Sequence, residues 1–408
     1  MSKLAIQGGA PAKTKAFPAW PQHDELERRA LLEVLESGNW WRSEGDKTAA
    51  FERAFADYHQ ANHGIAVTNG THAIEVALAA LDIRPGDEVI VPNATFVATA
   101  SAALFAGALP RLVDVRADNF CIDPELAEAA INERSKAIIA VHLGGCPADI
   151  DALKSIANKH GIALLEDAAH AHGSEWRGRK VGALGRGGTF SFQASKTMTA
   201  GEGGIILSDD DGFERMARSV HDCGRLPGEW FYSHYHYGSN YRLSEWQGAV
   251  LLAQLTRLDE QTARRNTNGR LLDHLLSQIA GIKPQRLDSR ATRNGHYAYI
   301  FHFEPRHFAD ITRPQFEAAL QAEGIPTQPP YPPLHQLDLF QSGAYKHRLS
   351  GAQAAEDHAF LRAPFPNSVR EFEETIWITQ RALLGDEQDM REVAAALQKI
   401  SENAAELT

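Results

Sequence analysis

Residues 137–170 read AIIAVHLGGCPADIDALKSIANKHGIALLEDAAH. A short apolar run, Ala137 to His142, is followed by a helical pattern, Ile150 to His160, with Gly161 placed to end it. A second apolar run, Ile162 to Leu165, stops abruptly at Glu166 and Asp167. Strands separated by crossover helices imply a largely parallel sheet with helices on both faces. Such a sheet binds ligands at the carboxyl ends of its strands. The polar residues just after each apolar run are therefore the candidates for chemistry.

The same alternation extends outward. Ile65 to Val67 reads as a strand and Ala73 to Leu81 as a helix. Glu88 to Val91 is a strand, an alanine-rich helix runs through Phe105, and Leu112-Val113 leads into Asp114. Pro124 opens another helix. Further on, Thr189 to Phe192 and Ile205 to Leu207 are strands. A different pattern begins near Leu255, with a long helix to about Ile279, strands around His296 to Phe303, and helices Arg313 to Glu323 and Asp386 to Asn403. The stretch Pro326 to Pro333 must be extended or turning. The expectation is a large α/β domain over residues 1–260, N-terminal segment included, and a smaller α+β domain over residues 261–408.

Composition narrows the partners. The chain has 408 residues, 43% hydrophobic and 23% charged, which suits a soluble globular protein. A net charge of −11 argues against nucleic acid or an anionic membrane as partner. No run approaches the ~20 apolar residues that span a bilayer, and residues 1–16 lack the apolar stretch of a signal peptide. Cys121, Cys146 and Cys223 have no paired spacing. A reduced cytoplasmic setting is expected.

Three stretches carry chemistry. Thr68-Asn69-Gly70-Thr71-His72 lies between a strand and a helix, where free N–H groups and a partial positive charge can hold phosphate; a plain helix cap reads equally well. Glu166-Asp167-Ala168-Ala169-His170-Ala171-His172 ends a buried-type strand. A carboxylate there can keep a pyridine nitrogen protonated, cap a helix, or join the nearby histidines around a metal. Thr189 to Phe192 delivers Lys196 into a loop, where a lone lysine is most often a solvated charge but one that loses its water becomes a nucleophile able to form an imine. Phosphate turn, aromatic, strand-end aspartate, then serine and lysine form an ordered series. Gly182 to Gly188 is not a GxGxxG turn, so a nicotinamide reading has no support.

Thr-Asn-Gly-Thr at 68–71, Glu-Asp-Ala-Ala-His at 166–170, Ser191 to Lys196, Gly-Glu-Gly-Gly at 201–204 and Gly-Ser-Asn-Tyr-Arg-Leu-Ser-Glu at 238–245 resemble the DegT/DnrJ/EryC1/StrS sugar aminotransferases. The resemblance runs from about Phe17 to the C-terminal helix. It implies the fold type I of pyridoxal-phosphate (PLP) transferases, with a large, mainly parallel sheet of the seven-stranded type. It further implies that Lys196 carries PLP as a Schiff base and that Asp167 pairs with the pyridine nitrogen. Phe96 would stack on the ring and His170 would lie near its 3-oxygen. Gly70, Thr71 and Ser191 would hold the phosphate, with Gln193 beside them. Asn240 would reach the phosphate of a partner subunit, which implies a homodimer with shared active sites, and no metal is implied.

Two branches of the family compete. Phe17 to Pro21, Trp40-Trp41-Arg42 and Cys223-Gly224-Arg225 resemble 3-amino-5-hydroxybenzoate synthases, which are dehydrating aromatases. Phe120 to Pro124, Leu243 to Glu245 and Pro329 to His335 resemble aminotransferases of ketocyclitols and keto sugars. Lys196 argues against the sugar 3-dehydratases, which carry histidine in its place. The aminotransferase is the expectation, moving an amino group from glutamine or glutamate to a ketone on a cyclic polyol. Trp41, Arg242, Tyr331 and His335 are the candidate substrate residues.

Overall fold

The computed structural model describes residues 3–407. Two helices, α1 (Glu25–Ser37) and α2 (Lys47–Tyr58), precede the first strand and lie upstream of the stretch where the sequence pattern begins. Then follow β1 (His63–Val67), α3 (Gly70–Ala80), β2 (Glu88–Pro92), α4 (Ala98–Phe105), β3 (Leu109–Val113), β4 (Ser135–Val141), α5 (Ile150–His160), β5 (Ala163–Asp167), β6 (Gly187–Ser191), β7 (Gly204–Ser208) and α6 (Asp211–His221). These seven strands form one sheet in the order β1-β7-β6-β5-β4-β2-β3. Pairing is parallel from β6 through β5, β4 and β2 to β3, and antiparallel where β7 meets β1 and β6. Six strands therefore point one way and β7 alone runs against them. The ends of β1, β5 and β6 reach the same edge.

The period of two along each strand explains the burial on both faces. In β4, Ile138 and Ala140 enter one core, while Ala137, Ile139 and Val141 enter the other. Helices α2 and α5 cover the first face through Phe51, Phe55 and Leu153. Helices α3, α4 and α6 cover the second through Ile74, Leu104 and Phe213.

A 32-residue helix, α7 (Glu245–Leu276), leads out of this layer. It begins ten residues before the expected Leu255, because Ser244 is its N-cap and Glu245 its first residue. It is continuous through residues 260 and 261, where the change of pattern suggested a division. Beyond it come β8 (Ile282–Pro284), β9 (Ala298–Phe303), α8 (Arg313–Ala322), β10 (Thr327–Gln328), β11 (Thr375–Thr379) and α9 (Glu387–Asn403). The four strands form an antiparallel sheet in the order β8-β9-β11-β10. One face packs Phe301, Phe303 and Ile376 against Phe316 of α8 and Leu397 of α9. Leu4 and Phe17 sit in that same core, so this N-terminal stretch is packed with the C-terminal sheet rather than with the large one. Lys13 reinforces the placement, its buried ammonium 2.5 Å from Asp389. The opposite face, through Ile300 and Trp377, joins the core of the large sheet.

Candidate active site

The carboxyl edge of the large sheet opens into a cavity of about 640 Å³. Its floor is built from the turns that follow β1, β5 and β6. Asn69 caps α3 by accepting from His72 N at 2.8 Å, which leaves the N–H groups of the first turn directed outward. A Cβ on Gly70 would lie 2.7 Å from Cβ of Ser191, so glycine is what allows the start of α3 to meet the end of β6. Gly70, Thr71, Ser191 and Gln193 all line the cavity. The Oε1 of Gln193 accepts from Ser195 N at 2.8 Å and from Ser195 Oγ at 2.7 Å, which tightens the turn carrying the lysine.

Lys196 is buried, and the loss of water pushes its pKa down to about 8; Asp167 partly offsets this. Asp167 ends β5. Its Oδ2 accepts from Thr99 Oγ1 at 2.9 Å and its Oδ1 from Ala169 N at 3.2 Å. Burial raises its pKa, with the Thr99 hydrogen bond opposing. His170 accepts on Nδ1 from Gly144 N at 3.3 Å, which puts its proton on Nε2, 3.2 Å from the Tyr331 hydroxyl. Burial first, then Lys196, holds the imidazole well below its usual pKa, so it is neutral. Phe96 lies on the cavity wall, half exposed, its ring centroid 5.5 Å from that of Tyr331.

Glu166 takes no part in this cavity. Its Oε1 accepts from Leu184 N at 2.6 Å and Gly185 N at 2.8 Å, and its Oε2 from Gly182 N at 2.8 Å and His142 Nε2 at 3.0 Å. His172 spends Nδ1 on Thr197 Oγ1 at 3.2 Å. Among the described residues no group of three or more His, Cys, Asp or Glu side chains is arranged to hold a metal ion.

The candidate substrate residues divide. Tyr331 lines the cavity, whereas His335 lies outside it, its backbone N donating to Asn93 Oδ1 at 3.0 Å and its ring packed on Phe365. Trp41 borders a second cavity of about 360 Å³ with Arg42, Arg218, Arg225 and Phe231. The guanidinium of Arg242 lies 5.7 Å from the Trp41 ring. Asn240 is exposed and does not line the first cavity. Sequence reasoning passed over Thr99 and Tyr297. Thr99 had a faint signal, being four residues from Thr95 at the start of a helix, and the two hydroxyls are 2.9 Å apart. Tyr297 had none, since it reaches the site from the edge of the small sheet.

The residues fit PLP. Gly70 leaves room between α3 and Ser191 for backbone N–H groups to meet a phosphate. Asp167 offers a buried carboxylate with no cation in hydrogen-bond contact, and Lys196 is a buried amine of depressed basicity.

The family model of the DegT/DnrJ/EryC1/StrS aminotransferases matches residues 21–397. The chain is 42% identical over 388 residues to 3-amino-5-hydroxybenzoate synthase of Amycolatopsis mediterranei (strain S699), covering 94% of this chain and 96% of that protein. It is 37% identical over 422 residues to L-glutamine:2-deoxy-scyllo-inosose aminotransferase of Streptomyces fradiae, covering 100% and 99%. The crystal structure of 3-amino-5-hydroxybenzoic acid synthase matches with a TM-score of 0.84 at 39% identity, covering 98% of this chain and all of that one. With a family model and full-length relatives matching this fold and this cavity, the chain belongs to the DegT/DnrJ/EryC1/StrS aminotransferase family and is a PLP-dependent enzyme.

Proposed function

We propose that the protein moves an amino group from glutamine or glutamate to a ketone on a cyclic polyol. The acceptor is a ketocyclitol of the scyllo-inosose kind or a nucleotide-linked keto sugar, in the making of an aminocyclitol, amino sugar or antibiotic. The observation that carries this reading is the buried Lys196, of lowered pKa, beside the unpaired strand-end Asp167 in a cavity with room for a cofactor and one ring. The name of the Streptomyces fradiae relative, which matches end to end, supports the acceptor class.

When bound, PLP supplies an electron sink that makes a neighbouring C–H bond breakable. The N–H groups at the start of α3, with the hydroxyls of Thr71 and Ser191, would hold its phosphate. Asp167 would gain the cationic partner it lacks and keep a proton on the pyridine nitrogen. Phe96 would cover one face of the ring, and His170, neutral with its proton on Nε2, would face the 3-oxygen. Lys196 Nζ, titrating near 8, can take a proton from the donor's Cα and return one to the acceptor's carbon near neutral pH.

The cavity of one chain is incomplete for this task. An amino-acid donor brings a carboxylate and the cofactor a phosphate, yet among the described lining residues Lys196 is the only lysine or arginine. Arginines stand together elsewhere, Arg42 and Arg218 paired with Glu52 and Arg225 and Arg242 with Asp222, around the second cavity and Trp41. In this reading two copies pair so that each chain's arginine-rich cavity and Asn240 serve the other's Lys196. A Lys196→Ala chain mixed with an Asn240→Ala chain should then recover activity in the hybrid site. Background activity in verified mixed dimers contradicts sharing. The enzyme works as a cytoplasmic homodimer, without nucleic acid or membrane as partner. No described helix is long and apolar enough to cross a bilayer.

A second reading is a dehydrating aromatase, favoured by the 42% identity to the Amycolatopsis relative. Adding glutamine or glutamate alone decides between them. An aminotransferase bleaches the visible band of its bound cofactor, and a ketocyclitol or keto sugar restores it. A spectrum indifferent to every donor, with conversion of an aminated ring to an aromatic product, would overturn the aminotransferase.

A further inference from the structure

Tyr297 immediately precedes β9 of the small sheet, yet its ring lies between two groups held by the large one. It stacks on the His170 imidazole, with centroids 3.9 Å apart and planes 15° from parallel. On the lysine side, Lys196 Nζ is 4.5 Å from the ring centroid. Tyr297 is 6% exposed. Its hydroxyl is 3.1 Å from Ser195 Oγ, whose own proton is committed to Gln193 Oε1 at 2.7 Å, so Tyr297 donates. The tyrosine is thereby tied to the residue adjoining Lys196.

A buried ammonium needs compensation. Several titratable groups surround Lys196: Asp167 at the end of β5, His170 and His172 in the following loop, Glu202 ahead of β7, and Tyr331 from the proline-rich segment. Burial holds both histidines neutral, and Tyr331 is pushed well above its usual value. Glu202 is exposed. Among the described residues Asp167 is the one buried acid that raises the pKa of Lys196, and in the proposed function the cofactor would claim it. Beside a released ammonium stands the face of an aromatic ring, which attracts cations most where water is excluded.

We infer that Tyr297 is a positioning residue for Lys196, its ring giving the free ε-ammonium a fixed resting place between proton transfers. This rests on Lys196 being the proton-carrying amine. Because Tyr297 stands at the edge of the small sheet, it also makes the lysine's position depend on how that sheet packs against the large one.

The test uses competitive acetylation of cofactor-free, full-length protein with acetic anhydride across pH, followed by peptide mapping of Lys196. Only the neutral amine reacts, so the midpoint reports its pKa. Wild type should titrate near 8. Tyr297→Met and Tyr297→Leu remove the ring and should lower the midpoint by roughly 0.5–1.5 units. Tyr297→Phe keeps the ring and should stay within about 0.3 units. A merely loosened site would admit water and move the midpoint upward, so direction separates the two causes. In the donor half-reaction the Met variant should lose about tenfold in kcat with KM within about twofold, and Phe should remain near wild type. A midpoint unchanged or raised in both Met and Leu variants overturns the inference. Borohydride trapping of bound cofactor on another lysine would instead overturn the assignment of Lys196, and this inference with it.

Discussion

Glu166 and Asp167 are chain neighbours at the end of β5, and the pleat sends them to opposite faces of the sheet. Both are buried, and they titrate in opposite directions. Glu166 meets three backbone N–H groups of the 182–185 turn and His142, and these partners hold its pKa below the usual carboxylate value despite burial. Asp167 meets one hydroxyl and one N–H, and burial wins. Saturation rather than burial separates them. A buried carboxylate with every lone pair answered is a fastener for a loop, whereas one left short of donors on a cavity wall is waiting for a ligand.

The strongest way to break that contrast lies with the unsaturated partner across the cavity. Lys196→Ala should fold normally and lose transamination by on the order of 10³-fold or more. Residual turnover within about tenfold of wild type, measured with a saturating donor, would mean that the proton carrier lies elsewhere.

Exchanging the effects of the two carboxylates comes next. Asp167→Asn should retain the fold and lose about 100-fold or more in kcat, because a neutral amide no longer favours a protonated pyridine nitrogen. Glu166→Gln should cost about 3 kcal/mol in stability, since a glutamine cannot satisfy the four donors, while the folded fraction keeps most of its kcat. Denaturant unfolding paired with active-site-normalised rates reads both. The reverse assignment of effects would undo the comparison.

The pH dependence sharpens it further. Glu166 has a lowered folded pKa, so its stabilisation is present above the unfolded value of 4.5 and is lost as pH falls through the folded value. Asp167 has a raised one, so its contribution is present below 3.8 and is lost as pH rises through the folded value. Cofactor-free Asp167→Asn should thus be more stable than wild type at pH 7, with the gain shrinking toward pH 4. Unfolding curves at the two pH values decide.

The smallest effect belongs to Thr99→Val. Losing the 2.9 Å hydrogen bond should raise the Asp167 pKa further and lower kcat by about 3- to 10-fold, with Thr99→Ser restoring it. A Val variant equal to Ser would show that Thr99 only fills space.

Legibility in the sequence followed the range of the signal. The strands that end at Val67, Asp167 and Ser191 were readable because apolar runs and their polar stops are local. Asp167 stood out as a candidate because it ends such a run, whereas Lys196, in the loop beyond β6, drew its proposed role from the family resemblance. The start of α7 was obscured because the residues up to Glu245 read as a motif rather than as a helix cap. His335 and Tyr331 are near neighbours, but Tyr331 lies in the extended proline-rich stretch while His335 sits in the 3-10 turn Leu334–Gln336 that follows and is turned away, toward Asn93. Nothing in the spacing distinguishes them.

The sequence by itself therefore determined the mainly parallel sheet, since periodicity and turn chemistry are properties of a few adjacent residues, and through the family resemblance it offered Lys196 and Asp167 as candidates for the cofactor's lysine and aspartate. Only the tertiary structure decided which of two adjacent acids is saturated with donors, that Leu4 and Phe17 belong to the small sheet's core, and that Tyr297 lies between His170 and Lys196. It also decided that Trp41 and Arg242 stand apart from the Lys196 cavity. Each of these depends on contacts between segments distant in the chain, and such contacts come from how sheets and helices pack rather than from the order of residues along one strand.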